Sequence, residues 1–176
     1  YYSPWVMDGV LRYRLSAGTV DECVECVGYI ALLRAGDINR RVWIQFLDGL
    51  IASYFGDGSD YGVDLSYATE TQPLGTAGSV KAAESVLRDE SFLVLSGDAM
   101  TSVDLSEFVR RHQESGAVLS VLLSPQDDPR EFGVAVLGPD GRLERLVEKP
   151  GWGDVVSDRV NTGIYCVDPS VLDLIP

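Results

Sequence analysis

Short apolar runs alternate with amphipathic segments along most of this chain, and this alternation limits its possible folds more than any other feature. Residues 92–95 are continuously apolar, which is typical of a strand buried on both faces. Residues 76–87 carry apolar side chains at the spacing of one buried helix face. Strands that alternate with helices favour an α/β fold, in which a mainly parallel sheet has helices on both of its faces.

Capping and turn residues indicate where several elements begin and end. Residues 19–22 form a capping box, which predicts a helix that continues to about Leu33. A second helix is predicted over residues 104–114 and is ended by the glycine that follows. Residues 133–147 predict a late antiparallel hairpin, because residues 139–142 place a glycine at the tight position of a turn between two apolar runs.

Acidic residues outnumber basic ones by 27 to 14, so the formal net charge is −13. This charge argues against nucleic-acid backbones and anionic membrane surfaces as partners, but a small phosphorylated ligand and a divalent cation remain compatible with it. The three cysteines are too few for a disulfide framework and indicate a reducing compartment. We therefore expect a cytoplasmic protein. Residues 1–176 are predicted to form a single domain that is cut short at its C-terminal end.

Cys23 and Cys26 form a C-x-x-C pair, a spacing that redox and metal sites also use. A zinc site needs four ligands, but Cys166 is remote in sequence and His112 is the only histidine. We therefore favour ordinary helix residues and keep redox or metal chemistry as the alternative. Because the neighbours of His112 are polar, the sequence indicates no Ser-His-Asp or Cys-His catalytic system.

Ligands of α/β sheets bind beyond the carboxyl ends of the strands, and three segments are predicted to lie there. Residues 73–79 combine two glycines with a helix start, so backbone amides can approach a base or a phosphate. The alternative is a glycine turn in which Thr76 caps the helix. Asp98 follows the buried strand and either holds Mg²⁺ together with substrate phosphates or caps the next turn or helix.

The third of these candidate segments combines residues 148–150, which contain Glu148 and Lys149, with residues 161–163, which begin with Asn161. The compact ammonium of Lys149 suits a phosphate group, and Glu148 and Asn161 can hydrogen-bond the hydroxyls of a polyol. The alternative is a surface ion pair beside a strand-edge asparagine. From the residues alone, the chain is predicted to be an α/β domain with a cleft for a nucleotide or a polyol phosphate.

The same stretches, in the same order, resemble the sugar-nucleotide pyrophosphorylase (nucleotidyltransferase) family, most of all its bacterial mannose-1-phosphate guanylyltransferases. The resemblance spans residues 41–176 and rests on residues 54–58, 73–80, 92–99, 131–134, 148–150 with Trp152, and 157–165. It implies a Rossmann-like fold of the GT-A kind. It also implies a reaction in which an NTP and a sugar-1-phosphate form an NDP-sugar and pyrophosphate. The implied NTP is GTP or dTTP, and the implied cofactor is Mg²⁺.

The resemblance implies roles for individual residues as well. Asp98, Lys149 and Arg14 are the implied catalytic residues, and Asp98 is also the implied Mg²⁺ ligand. The residues implied to bind the nucleotide are Gly9, Leu74, Gly75, Thr76, Ala77 and Gly78. The residues implied to bind the sugar are Gly133, Glu148, Asn161 and Thr162.

Residues 6–15 depart from the glycine-rich loop of that family. Val10, Arg12 and Tyr13 stand where the family has Gly, Gly and Thr, and their side chains would obstruct the close approach of phosphates to the backbone. This departure gives an alternative function, that of a catalytically impaired member that binds nucleotide sugars or regulates an active subunit. Its protein partners are then expected to be further copies of itself or an active subunit.

Overall fold

The computed structural model describes residues 30–34, 41–46, 50–61, 63–69, 74–96 and 101–176. The strands and α-helices of these residues follow one another in the order β1 (Ile30–Arg34), β2 (Arg41–Phe46), α1 (Leu50–Phe55), β3 (Asp64–Thr69), α2 (Gly75–Ala82), α3 (Glu84–Leu87), β4 (Phe92–Ser96), α4 (Leu105–Ser115), β5 (Leu119–Pro125), β6 (Gly133–Leu137), β7 (Leu143–Glu148) and β8 (Arg159–Val167). They divide into two compact units. The first unit contains the described residues up to 120 together with 165–176, and the second unit contains residues 121–164.

The sheet of the first unit is mostly antiparallel, so the predicted mainly parallel sheet is wrong although the α/β class is confirmed. Strand β1 runs antiparallel to both β2 and β4, whereas β2 and β3 are parallel. The short connection over residues 35–40 explains the antiparallel pairing of β1 with β2. A parallel pair needs a crossover of about a dozen residues, so strands joined this closely pair antiparallel.

The predicted helix from residue 19 to Leu33 is also wrong at its C-terminal end, because Ile30–Arg34 is strand β1. Its backbone pairs with β4 over the whole strand, and Leu32 lies opposite Val94. A short apolar run cannot be assigned to a helix or a strand from its periodicity alone, so the partner strands decide. Residues 19–29, with Cys23 and Cys26, lie outside the described residues.

Strand β4 supplies the centre of the core of the first unit, as its continuous apolar sequence predicts. Phe92 and Leu93 are 0% exposed and Val94 is 3% exposed. The core cluster around β4 comes from the paired helices α2 and α3 and from the C-terminal residues; its buried members are Val80, Ala83, Leu87, Phe92, Val94, Val167 and Leu172. The amphipathic pattern of residues 76–87 is therefore confirmed, with a break between α2 and α3 at Ala83.

Helix α4 begins and ends where its capping residues predict. The Asp104 carboxylate accepts a hydrogen bond from the Glu107 amide at 3.1 Å, and Gly116 ends the helix with φ +64°. Glycine suits this left-handed position because it carries no Cβ. Leu105, Val109 and His112 form the buried face of the helix.

The second unit is an antiparallel sheet. The predicted hairpin is confirmed, because β6 and β7 pair antiparallel with Gly133 opposite Glu148. Strand β8 joins β6 through the antiparallel pair of Val134 and Val160. Within the described ranges, none of the helices is long and apolar enough to cross a bilayer.

Candidate functional site

A close approach of three residues in the second unit forms the centre of the candidate site. Gly133 at the start of β6 lies opposite Glu148 at the end of β7. A Cβ placed on Gly133 would lie 3.0 Å from Glu148 Oε2 and 3.7 Å from the Cβ of Asn161. Because Gly133 has no side chain, the carboxylate of Glu148 and the side chain of Asn161 can meet above its backbone.

The local backbone of β8 orients the side chain of Asn161. Its Oδ1 accepts a hydrogen bond from the Gly163 amide at 3.0 Å. Gly163 lies at φ +73°, a conformation that favours glycine, so the sequence Asn-Thr-Gly forms this local turn within the strand. An amide and a carboxylate held side by side can hydrogen-bond the hydroxyls of a polyol.

Thr162 is engaged differently from Asn161. Its hydroxyl donates to the carbonyl oxygen of Leu122 on β5 at 2.8 Å. This hydrogen bond ties β8 to β5, a structural contact that the sequence did not indicate. The structure therefore brings Gly133, Glu148 and Asn161 together, while the Thr162 hydroxyl joins two strands.

Lys149 directly follows this cluster and has an unusual backbone conformation. It lies at φ +42°, and among the described residues it is the one non-glycine residue with positive φ. This conformation costs roughly 1–2 kcal/mol for a residue that carries a Cβ. The Lys149 amide donates to the Phe132 carbonyl at 3.0 Å, and the next residue, Pro150, is buried. Such local strain persists where surrounding contacts impose it, and it is common at functional sites.

The predicted glycine segment of the first unit begins helix α2. Gly75 lies at φ +67°, and a Cβ on Gly78 would lie 2.9 Å from the Cβ of Leu74. Leu74 occupies the N-cap position without a side-chain capping hydrogen bond, and Thr76 lies inside the helix. The alternative in which Thr76 caps this helix is therefore wrong. The exposed residues Leu74, Thr76 and Ala77 leave this helix start accessible.

Three further predicted residues, Asp98, Gly9 and Arg14, lie outside the described residues. Across the described ranges, no group of three His, Cys, Asp or Glu side chains is placed to hold a metal ion. Mg²⁺ is commonly held by one or two carboxylates together with substrate phosphates, so a single carboxylate after β4 has the right donor chemistry.

His112 is buried, which the polar appearance of its helix did not suggest. Its side chain is 4% exposed, and Nδ1 lies 2.8 Å from the Ser120 hydroxyl oxygen. Burial lowers the pKa of His112 from its ordinary value of 6.5, and the Asp168 carboxylate opposes this shift. The spacing from Leu105 and Val109 was the signal that could have revealed this, because one face of a helix repeats every three to four residues.

His112 is expected to make the protein less stable as the pH falls below 6.5. The unfolded chain then binds a proton that the buried imidazole does not, so the free energy of unfolding falls by at most about 1.4 kcal/mol per pH unit. Urea unfolding of the wild type and of His112→Gln between pH 5 and pH 8 measures this, and the variant should show the shallower slope. Equal slopes in the two proteins would contradict the assignment.

Comparison with known proteins supplies independent information on this chain. A family model described as "Nucleotidyl transferase" matches residues 30–176. A UTP--glucose-1-phosphate uridylyltransferase of Synechocystis sp. is 35% identical over 161 residues, which cover 84% of this chain and 42% of that protein. A mannose-1-phosphate guanyltransferase of Candida albicans is 38% identical over 120 residues, which cover 66% of this chain and 33% of that protein. The chain thus spans less than half the length of these relatives.

Solved structures of similar fold agree with these matches. A Bacillus anthracis protein assigned as a glucose-1-phosphate thymidylyltransferase has a TM-score of 0.64 and 29% identity, with 71% of this chain and 50% of that chain covered. HddC from Yersinia pseudotuberculosis has a TM-score of 0.63 and 21% identity, with 75% and 56% covered. The second likeness concerns the fold alone.

Proposed function

Because this chain belongs to the nucleotidyl transferase family, we propose that it transfers a nucleotidyl group from an NTP to a sugar-1-phosphate. The products are an NDP-sugar and pyrophosphate. The observation that carries the proposal is the approach of Glu148 and Asn161 over Gly133, since this arrangement can hold the hydroxyls of a sugar. The names of the relatives, a uridylyltransferase and a guanyltransferase acting on hexose-1-phosphates, support the same substrate class.

In the proposed reaction, an oxygen of the sugar-1-phosphate attacks the α-phosphorus of the NTP in line. The new bond joins that oxygen to the α-phosphorus, and the bond from the α-phosphorus to the bridging oxygen breaks as pyrophosphate leaves. Positioning and charge neutralisation then account for most of the rate. Glu148, Asn161 and Gly133 hold the sugar, and the Lys149 ammonium faces the phosphate of the sugar. Thr162 supports this sugar site through the hydrogen bond that joins β8 to β5.

The nucleotide is assigned to the start of α2 and to the N-terminal segment. Residues 74–78 would hold the base, because Gly75 has open space where a Cβ would stand and Leu74, Thr76 and Ala77 are exposed. Gly9 and Arg14 would approach the triphosphate. Asp98 would hold Mg²⁺, which neutralises phosphate charge when it is bound. GTP and dTTP are the proposed NTPs.

Pyrophosphate release tests the proposed function. The full chain is incubated with Mg²⁺ and each of GTP, dTTP, UTP, CTP and ATP, paired with mannose-1-phosphate and glucose-1-phosphate. We expect turnover with at least one pair. If no pair releases pyrophosphate but GDP-mannose or UDP-glucose raises Tm, the alternative of a catalytically impaired, ligand-binding member is favoured, because a ligand of the folded state stabilises it by RT ln(1 + [L]/Kd).

Replacing Gly133 with alanine is expected to raise the KM for the sugar-1-phosphate by about tenfold, because small misplacements of binding groups are costly. The new Cβ would lie 3.0 Å from Glu148 Oε2, so the carboxylate must move. The KM for the NTP should stay unchanged, and initial rates over both substrates measure the two constants.

The hairpin offers a matched control for this variant. A Cβ on Gly138 would lie 2.9 Å from Glu144 Oε1, an equally tight contact with a carboxylate at the other end of the same hairpin. Gly138→Ala should therefore change stability and leave both KM values alone. Similar kinetic changes in the two variants would count against a sugar site at Gly133.

A further inference from the structure

Trp152 is an exposed residue of the second unit that packs against Arg130, and it is not among the residues proposed above to hold the sugar or the nucleotide. Trp152 is 67% exposed, and the guanidinium carbon of Arg130 lies 4.1 Å from the centroid of its ring. Arg130 also donates from Nε to Asp128 Oδ1 at 2.7 Å. The carboxylate neutralises the guanidinium, and the guanidinium covers one face of the indole. Because Trp152 is 67% exposed although Arg130 lies over one face of its ring, most of the remaining ring surface is accessible to a ligand.

Short turns hold both partners in place. Arg130 lies in the 3₁₀ turn Pro129–Glu131, in which Pro129 is buried and Asp128 caps the first turn. Trp152 begins the turn Trp152–Asp154, which follows the buried Pro150 and is closed by the Asp154 amide on the Gly151 carbonyl at 2.9 Å. An aromatic ring held in this way loses little conformational freedom on binding, so more of its contact energy contributes to affinity.

The same two segments carry residues of the proposed sugar site. The Phe132 carbonyl, one residue before Gly133, accepts the hydrogen bond of the Lys149 amide at 3.0 Å. Trp152 is three residues beyond Lys149, so their Cα atoms are at most about 11 Å apart. A sugar phosphate held by Glu148 and Lys149 therefore lies within reach of the indole.

We propose that the accessible ring surface of Trp152 packs against the C–H face of the hexose whose hydroxyls meet Glu148 and Asn161. A hexose presents polar groups at its rim and apolar C–H groups on its ring face, and an indole matches that face with a large, rigid apolar surface. Arg130 is a positioning residue that acts through the indole. This inference rests on the proposed function and assigns the sugar, not the base, as the partner of Trp152.

Steady-state kinetics of the full chain test this assignment. Trp152→Ala should raise the KM for mannose-1-phosphate or glucose-1-phosphate by about tenfold and leave the KM for the NTP within about twofold. Trp152→Phe should restore the sugar-1-phosphate KM to within about threefold of the wild type, because a phenyl ring keeps part of the apolar face. Arg130→Met should raise the same constant less than Trp152→Ala does.

Val156→Ala is the matched control, since Val156 is an apolar residue that is 58% exposed in the same unit. It should leave both KM values unchanged. An unchanged sugar-1-phosphate KM in Trp152→Ala would overturn the proposal. A rise in the KM for the NTP instead would assign the indole to the base and would also overturn it.

A binding measurement separates failure of this inference from failure of the proposed function. If the wild type turns over no substrate pair, calorimetric titration with mannose-1-phosphate, glucose-1-phosphate, GDP-mannose and UDP-glucose replaces the kinetics. A sugar-1-phosphate affinity that weakens about tenfold in Trp152→Ala supports packing of the indole on the hexose even without catalysis, whereas weakening confined to GDP-mannose and UDP-glucose would assign the indole to the base and overturn the proposal. Equal affinity in the two proteins, or no binding by the wild type, refutes it.

Discussion

Replacing Lys149 with glycine is expected to lower kcat by about 10²- to 10³-fold and yet to leave the fold more stable than replacement with alanine does. Both variants lose the ammonium proposed to face the phosphate. They differ in the backbone, because the residue lies at φ +42° and alanine keeps a Cβ there. The free energy of unfolding of Lys149→Gly should therefore exceed that of Lys149→Ala by about 1 kcal/mol.

The other lysine of the chain, Lys81, is the control for this pair. Its ammonium donates to the Leu172 carbonyl at 2.8 Å and pairs with Glu84 at 3.2 Å. Lys81→Ala should lower stability and keep the wild-type kcat. Pyrophosphate release and urea unfolding measure the two quantities. Wild-type turnover in Lys149→Ala would contradict the proposed role, and equal stability of the two Lys149 variants would contradict the strain.

Asp98→Asn is expected to lower kcat by about 10³-fold, because it removes the carboxylate proposed to hold Mg²⁺ beside the substrate phosphates. The structure argues against the alternative that Asp98 caps helix α4, the next described helix. That role for α4 belongs to Asp104, whose carboxylate accepts the Glu107 amide. The concentration of Mg²⁺ that gives half-maximal turnover should also rise in Asp98→Asn.

Asp104→Ala provides the control, because it removes a capping carboxylate from the same stretch of the chain. It should lower the free energy of unfolding by about 1 kcal/mol and leave kcat and the Mg²⁺ requirement unchanged. If Asp98→Asn behaves in the same way as Asp104→Ala, then Asp98 has a structural role and the proposed metal site is wrong.

Local chemistry made part of the fold predictable. The Asp104 cap, the glycine at position 116 and the turn with Gly141 at φ +78° depend on a few adjacent residues. Strand β4 was predictable because a run that is apolar at every position has to be covered on both faces. These features follow from side-chain chemistry and backbone freedom over distances of a few residues.

The candidate site was predictable to a smaller extent. The resemblance of residues 131–134, 148–150 and 157–165 to a family indicated Gly133, Glu148 and Asn161, and the register of β6 and β7 then brings the first two face to face. The conformation of Lys149 was not predictable. It depends on the hydrogen bond to Phe132 and on the burial of Pro150, and these are contacts that no local pattern encodes.

The sequence by itself determined where the late hairpin turns, where α4 begins and ends, and which strand lies at the centre of the core. Only the tertiary structure decided that residues 30–34 form a strand, that β1 runs antiparallel to its neighbours, that His112 faces the core, and that Arg130 stacks on Trp152. The physical reason is the distance along the sequence over which each interaction acts. Caps and turns depend on the conformational preferences and hydrogen bonds of a few neighbouring residues. Strand direction, burial and stacking depend instead on partners that are distant in the sequence and become neighbours only when the chain folds.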